Sequence, residues 1–323
     1  MARSISRRAA GLAAAAAFAL FAGGAAAQSE LKIMAPASPG GGWDQTARSL
    51  QQALMQSGIS RSVQVTNVTG AGGTVGLAQF INGAKGDGQQ VMVNGLVMLG
   101  AILTNRSPVQ MDQATPIARL TSEYLVIVVP TNSPLKTVKD LAEATKADPG
   151  KVRWAGGSAG GVDHIAAGLF AKTVGGDPTK INYIPFSGGG EALAAIIGGR
   201  VTAGISGYGE FEGQIRAGKL RVLAVTSPDK LAGVDAPTLK SSGIDLEIAN
   251  WRSVFAPPGI TPEAKTALIA TFDKLVKTKE WEGILKQKDW DDAYLPGDQF
   301  AAFLKSEQTR VRAILTEIGL VKS

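Results

Sequence analysis

The sequence of 323 residues contains no cysteine and a single histidine, His164. Without cysteine the chain can form no disulfide, iron–sulfur cluster or zinc–thiolate site, and one histidine is too few for the usual multi-histidine metal centres. We therefore predict no metal and no cofactor. The fold has to be held by its hydrophobic core alone, which a chain of this length can build.

Aromatic side chains are also scarce, at 6% of the residues, and no run of basic residues occurs. The formal net charge of +6 falls to +3 once three arginines near the N-terminus are left out. So mild a charge does not favour a nucleic-acid partner. After residue 27 no apolar run is long enough to suggest a membrane span.

The first 27 residues have the pattern of an export signal. Three arginines among the first eight residues precede an apolar stretch at 9–22, and alanines at 25–27 provide a small-residue cleavage site. We predict cleavage near Ala27 and export to the periplasm. The pair Arg7-Arg8 leaves both the general and the twin-arginine route open.

Glycine-rich turns follow apolar, strand-like runs at four places, 39–42, 70–73, 156–161 and 187–190. Each of these turns opens a predicted amphipathic helix. Glycine lets the backbone approach a ligand closely, and the first turn of a helix has free N–H groups and a partial positive charge. Several such turns around one cleft would bind an anion without a cluster of arginines. The pattern favours a receptor for a carboxylate or a phosphate.

Strand-like and helical segments alternate along most of the chain, which predicts an α/β fold with mainly parallel sheets and covering helices. Two strand-like runs, 125–130 and 251–256, stand out from this alternation, and we interpret them as crossings between two lobes. The predicted lobes are 28–129 together with 251–323, and 130–250. Ligands of such sheets bind beyond the carboxyl ends of the strands, where the glycine turns fall.

The turn at 156–161 also matches the G-x-S-x-G elbow of hydrolases, which would make Ser158 the nucleophile of an exported serine esterase. A serine triad needs a histidine that folding places beside the serine, yet His164 follows on the same predicted helix. We therefore interpret Ser158 as a turn residue that donates to a ligand. An esterase is the alternative, and an extracellular scaffold protein is a third possibility.

Four further residues near these turns have a structural as well as a functional interpretation. Asp44 is expected to cap its helix, and His164 either packs or hydrogen-bonds near the cleft. Glu191 follows three glycines, so it either caps the helix or accepts a hydrogen bond from a ligand hydroxyl or protonated carboxyl. Trp43 is either a cleft wall, which we favour, or a plug between the lobes.

Six short stretches together resemble the solute-binding proteins of the tripartite tricarboxylate transporters, also called the Bug receptors. They are APASPGGGWD at 35–44, NVTGAGG at 67–73, PLKTVKDL at 134–141, GSAGGVDH at 157–164, FSGGGE at 186–191 and GKLRVLAV at 218–225. The resemblance implies a two-lobe, type II-like periplasmic binding protein that closes around a small carboxylate. Partners would be the membrane permease subunits of such a transporter, and the glycine turns look most similar to those of the citrate-type subgroup.

The resemblance and the turn chemistry together give fifteen candidate ligand-binding residues and no catalytic residue. The main candidates are Gly41, Gly42 and Trp43 on one side of the cleft, Ser158, Ala159, Gly160 and Gly161 opposite, and Ser187, Gly188, Gly189 and Glu191 at the rim. The further candidates are Asn94, His164, Ser206 and Tyr208.

Overall fold

A computed structural model describes residues 29–322, and the predicted export signal lies outside them. The strands of this part of the chain are β1 Ser29–Ala35, β2 Ser60–Asn67, β3 Gln90–Gly95, β4 Thr115–Pro130, β5 Arg153–Gly156, β6 Asn182–Pro185, β7 Ala203–Gly207, β8 Leu220–Val225, β9 Ala249–Ala256 and β10 Asp291–Pro296. The α-helices are α1 Gly42–Gln56, α2 Thr74–Gly83, α3 Leu96–Thr104, α4 Val138–Ala147, α5 Val162–Thr173, α6 Gly189–Ile197, α7 Tyr208–Arg216, α8 Pro262–Leu275, α9 Lys279–Lys288 and α10 Gly297–Glu317. None of the described helices combines the length and the apolar character that a bilayer span requires.

The strands form one path in the order β2-β1-β3-β9-β4-β7-β5-β6, with β8 and β10 paired to β4. Neighbours at the two ends of the path are parallel, as strand–helix alternation predicts. In the middle, β9 is antiparallel to β3 and β4, and β4 is antiparallel to β7 and β8. The α/β two-lobe fold is confirmed, with each sheet mixed because the two long central strands run against their neighbours.

Strand β4 belongs to both sheets and changes partners midway along its length. Residues 115–124 pair with β9, whereas residues 125–130 pair with β7 and β8. In the second half Ile127 packs in the larger core cluster and Val128 packs in the smaller one on the opposite face. Burial on both faces explains why this part of the sequence is an uninterrupted apolar run.

Helix α3 lies in backbone contact with the glycine turn at 156–161. The Thr104 hydroxyl donates a hydrogen bond of 3.2 Å to the carbonyl oxygen of Ala159. Gly160 has φ of +75°, and a Cβ there would overlap the side chain of Thr104. A Cβ on Gly100 would in turn overlap the carbonyl oxygen of Gly160. Glycine at these two positions is therefore needed for the helix and the turn to meet.

We expect Gly100→Ala to lower the free energy of unfolding by about 1–3 kcal/mol, because the new methyl group meets backbone that cannot rotate away. The matched control is Gly283→Ala in the interior of α9, where a Cβ would have no heavy atom within 4 Å. That change should stabilise the protein by about 0.5–1 kcal/mol through helix propensity alone. Urea denaturation measures both, and equal stability of Gly100→Ala and wild type would contradict the packing argument.

Candidate functional site

A cavity of about 50 Å³ lies beyond the carboxyl ends of several strands from both sheets. The residues that line it follow β1, β3, β5, β6 and β7 or begin β9: Ala37, Gly42, Trp43, Val97, Gly157, Ser158, Val162, Asp163, Ser187, Gly188, Gly189, Ser206, Glu210, Asn250 and Arg252. This is the position where ligands of open α/β sheets bind. Within residues 29–322 no three His, Asp or Glu side chains are grouped to hold a metal ion.

The rim of the cavity is closed by contact between two glycine turns. A Cβ on Gly188 would lie 3.2 Å from the Cα atom of Gly41, so the two backbones meet without side chains between them. Beside this contact the Ser38 hydroxyl donates a 2.7 Å hydrogen bond to Oε1 of Glu191. A volume of 50 Å³ holds a few water molecules at most. A larger ligand therefore has to part the rim.

Two acidic side chains in the cavity wall accept hydrogen bonds from backbone N–H groups of the glycine turns. Asp163 is 6% exposed, and its Oδ2 accepts the N–H of Gly157 at 2.6 Å. Oε2 of Glu210 accepts the N–H of Gly189 at 2.5 Å, at the first turn of α6. The Ser206 hydroxyl lies between the acids, 3.1 Å from Oδ2 of Asp163 and 3.3 Å from Oε1 of Glu210.

Burial raises the pKa of both carboxyl groups, to about 7 for Asp163 and to about 7 for Glu210. Loss of hydration is the largest cause, because a buried carboxylate has no water to stabilise its charge. The negative charge of Glu123 raises both pKa values further, and that of Asp163 also raises the pKa of Glu210. The backbone N–H groups and Arg252 act in the opposite direction without cancelling the effect of burial.

Arg252 is the cation that lines the cavity among the described residues, and it is held from behind by Glu123. The two side chains form a buried ion pair, and Oε2 of Glu123 also accepts the indole N–H of Trp290 at 2.9 Å. A Cβ on Gly42 would overlap the guanidinium, so glycine is needed where α1 begins. Sequence reasoning missed this arginine, although a charged residue inside the strand-like run 251–256 was a usable signal.

Seven of the fifteen predicted residues line the cavity, and two more lie at its rim. The lining residues are Gly42, Trp43, Ser158, Ser187, Gly188, Gly189 and Ser206, and the rim residues are Gly41 and Glu191. Trp43 combines its two expected roles: it lines the cavity, and its ring also fills the space beside Gly73. The turn at 70–73 therefore packs under the tryptophan and does not line the cavity.

The other six predicted residues lie away from the cavity lining. Ala159, Gly160 and Gly161 pack against α3, Asn94 is bonded to Ser253, Tyr208 lies in the smaller core cluster, and His164 stacks on Tyr183. Each of these contacts, whether packing or a hydrogen bond, joins elements that are distant in sequence. Side-chain type and turn position, which we used for the prediction, do not reveal such contacts.

The geometry around Ser158 does not provide a nucleophile. Nδ1 of His164 accepts the N–H of Gly160 at 3.2 Å, and its ring lies 4.1 Å from the ring of Tyr183 in a stacked arrangement. Burial lowers the pKa of His164 to about 4, which makes it a weak base. Among residues 29–322 no hydrogen bond joins Ser158 to a histidine, so nothing activates the serine hydroxyl.

Only some of the predicted backbone donors are free of protein acceptors. The N–H of Gly41 donates to the carbonyl of Ser38 at 3.1 Å, and that of Gly189 is bonded to Glu210. Gly42 and Gly188 also line the cavity, and their N–H groups make no hydrogen bond within the described part of the chain. Of these four glycines, Gly42 and Gly188 are therefore the two that can donate to a ligand in this closed arrangement.

Comparison with known proteins gives a family and a fold. A family model described as the tripartite tricarboxylate transporter family receptor matches residues 46–320. Protein BugT of Bordetella pertussis is 28% identical over 295 residues, which cover 90% of this chain and 89% of that protein.

Two solved structures from Rhodopseudomonas palustris share the fold at 21% sequence identity. MatC with bound malate has a TM-score of 0.77 and matches 89% of this chain and 99% of its own. Rpa4515 with adipate has a TM-score of 0.81 and matches 90% of this chain and 97% of its own. Both proteins were therefore solved with a small carboxylic acid.

The raised pKa of Asp163 makes its contribution to stability depend on pH. Because the folded pKa lies above the unfolded one, the stabilising effect of the protonated group is present at low pH and lost as pH rises through about 7. Between pH 5 and 7 wild type should lose up to about 1.4 kcal/mol per pH unit relative to Asp163→Asn. Urea denaturation at four pH values measures this difference.

The control for this prediction is Asp235→Asn, since Asp235 is exposed. Its stability curve should run parallel to that of wild type. If the curve of Asp163→Asn is also parallel to that of wild type, Asp163 is ionised in the folded protein over the whole range.

Proposed function

Because this chain belongs to the tripartite tricarboxylate transporter receptor family, we propose that it captures a small organic carboxylate, citrate or another di- or tricarboxylate, in the cleft around this cavity. We propose further that it acts in the periplasm and delivers the acid to the membrane permease subunits of such a transporter. The observation that carries the proposal is the cavity itself, whose walls come from both sheets and present helix N-termini and one arginine.

The cleft has the features that anion capture requires. Helices α1 and α6 begin at the cavity, and the free N–H groups of Gly42 and Gly188 belong to their first turns or caps. Such N–H groups, together with the positive end of the helix dipole, favour a carboxylate. Arg252 adds one side-chain charge. These donors reside on opposite sides of the rim, so an acid bound between them would hold the two glycine turns together.

The proposed lobes are 28–129 with 251–323, and 130–250. On this division Gly42 and Arg252 belong to one lobe, and Gly188 and Asp163 belong to the other. Malate and adipate in two proteins of the same fold support a small dicarboxylate or tricarboxylate as the ligand class. Because the closed cavity holds only a few waters, capture would proceed from an arrangement in which the rim contact is open.

We expect citrate, malate or adipate to raise the thermal midpoint of the purified protein. At one hundred times Kd a ligand adds about 2.7 kcal/mol to the apparent stability. Calorimetric titration then gives the affinity of each acid. Failure of every acid in such a panel to bind or stabilise the folded protein would argue against a carboxylate receptor.

The rim contact gives a matched pair of variants for the same titration. Gly188→Val places methyl groups against the backbone of Gly41 and should weaken acid binding at least tenfold, because the rim cannot close. Gly190→Val is the control, since its Cβ would have no neighbour nearer than 3.9 Å, and it should bind nearly as wild type does. Equal affinity of the two variants would show that closure of this rim is not part of capture.

Export is tested by expressing the full chain in a Gram-negative host and fractionating the cells. N-terminal sequencing of the periplasmic protein should begin at or near Gln28, as the alanines at 25–27 predict. A protein recovered from membranes with its first 27 residues intact would contradict the proposed cleavage.

A further inference from the structure

Three oxygen atoms in the cavity wall share too few hydrogens if both acids are ionised. The Ser206 hydroxyl lies within hydrogen-bond distance of Oδ2 of Asp163 and of Oε1 of Glu210. A hydroxyl has one hydrogen, so it donates to one of these oxygens and can only accept from the other. The arrangement is satisfied when one proton resides on Glu210: Glu210 then donates to Ser206, and Ser206 donates to Asp163.

A second feature concerns the other oxygen of Asp163. Both hydrogen bonds that Asp163 receives within residues 29–322 arrive at Oδ2. Oδ1 belongs to a side chain that lines the cavity and is more than nine-tenths buried, and no protein donor in the described chain reaches it. An oxygen that lines such a cavity is open to water, to a ligand donor or to a proton of its own.

The charged and titratable groups around Asp163 and Glu210 favour the protonated form of these two acids. Glu123 approaches from β4 and adds negative charge, whereas Arg252 on β9 is already paired with Glu123. The ring of Tyr183 packs from β6, and burial raises its pKa well above the ordinary value, so its hydroxyl stays neutral and donates to the carbonyl of Gly157. Burial lowers the pKa of His164 on α5, so its ring is neutral as well. Among the described residues that line the cavity, Arg252 is the cation, and its charge is already paired with Glu123.

We propose that Asp163 and Glu210 are specificity-determining residues: Glu210 holds the proton that it shares with Ser206, and Asp163 takes up a further proton from solvent when an acid is captured and presents it, on Oδ1, to a ligand carboxylate. The inference rests on the proposed function, since it needs an anion in this cleft. The ligand class is then an ionised carboxylate that accepts a hydrogen bond from a carboxylic acid. A protonated carboxyl buried in an apolar site is a known kind of donor.

The direction of the pH effect follows from this uptake. An anion next to the pair raises the affinity of the pair for protons, so by linkage protons raise the affinity for the anion. Above the range in which the free pair titrates, Kd should rise about tenfold per pH unit for each proton taken up. Adipate is a suitable probe because both of its carboxyl groups are ionised from pH 6.5 upward.

The test is calorimetric titration of adipate into the mature protein at pH 7.5 in phosphate and in Tris, two buffers with very different enthalpies of ionisation. Uptake of a proton makes the observed enthalpies differ in proportion to the number of protons. We expect between one half and one proton for wild type. Asp163→Asn should still bind adipate, since its amide can donate, but with no proton uptake.

The matched control is Glu212→Gln, on the same helix as Glu210 but partly exposed and outside the cavity lining, where it pairs with Arg216. This variant should keep the proton uptake of wild type. If wild type binds adipate with the same enthalpy in both buffers, the proton proposal is wrong and the receptor function stands. If no acid of the panel binds at either pH 6.5 or pH 8.5, both proposals are wrong. Should Asp163→Asn fail to fold, the two-buffer comparison on wild type decides alone.

Discussion

The buried ion pair of Glu123 and Arg252 fixes the place where the two sheets meet. Glu123 lies just before the point at which β4 changes partners, and Arg252 lies on β9, its neighbour. A buried pair is tolerated when its remaining hydrogen-bonding groups are satisfied, and here Asn250 and Trp290 donate to the glutamate. The pair also excludes side chains nearby: a Cβ on Gly207 would lie 2.6 Å from Glu123. The small cavity and its glycine walls are therefore arranged around this charge pair.

The strand–helix alternation predicted the fold class well, and the elements that it missed have identifiable causes. Helix α3, Leu96–Thr104, is apolar on all sides because it is buried, so it shows no helical period. Strand β4 is longer than the predicted run 125–130. Its first half contains two irregularities in pairing with β9, and such bulges break the alternation of inward and outward residues. Strand β10 pairs with β4 alone among the described strands and is partly exposed, which leaves only a weak signal in sequence.

For the candidate site, the glycine turns in the sequence predicted where the cavity walls lie. They did not predict the side chains that contact these turns. Two of the turns, 39–42 and 187–190, do meet at the rim. The turn at 156–161 was only partly anticipated, because three of its residues pack on α3, and that contact depends on Gly100, far away in sequence. The acids that accept hydrogen bonds from the N–H groups of the turns could not be predicted either. Glu210 bonds to Gly189 from another helix, and local sequence does not record which element will approach.

The position of β9 in the sheet has a consequence for how the protein is made. Residues 249–256 lie between β3 and β4, so synthesis from the N-terminus produces both neighbouring strands long before the strand that joins them. Until then each neighbour exposes an unpaired edge, and loop closure over such separations makes folding slow. The same late strand contributes Arg252. A truncated chain that ends before it therefore lacks the central strand and the cavity's cation together, so completion of the fold and assembly of the cleft are one event.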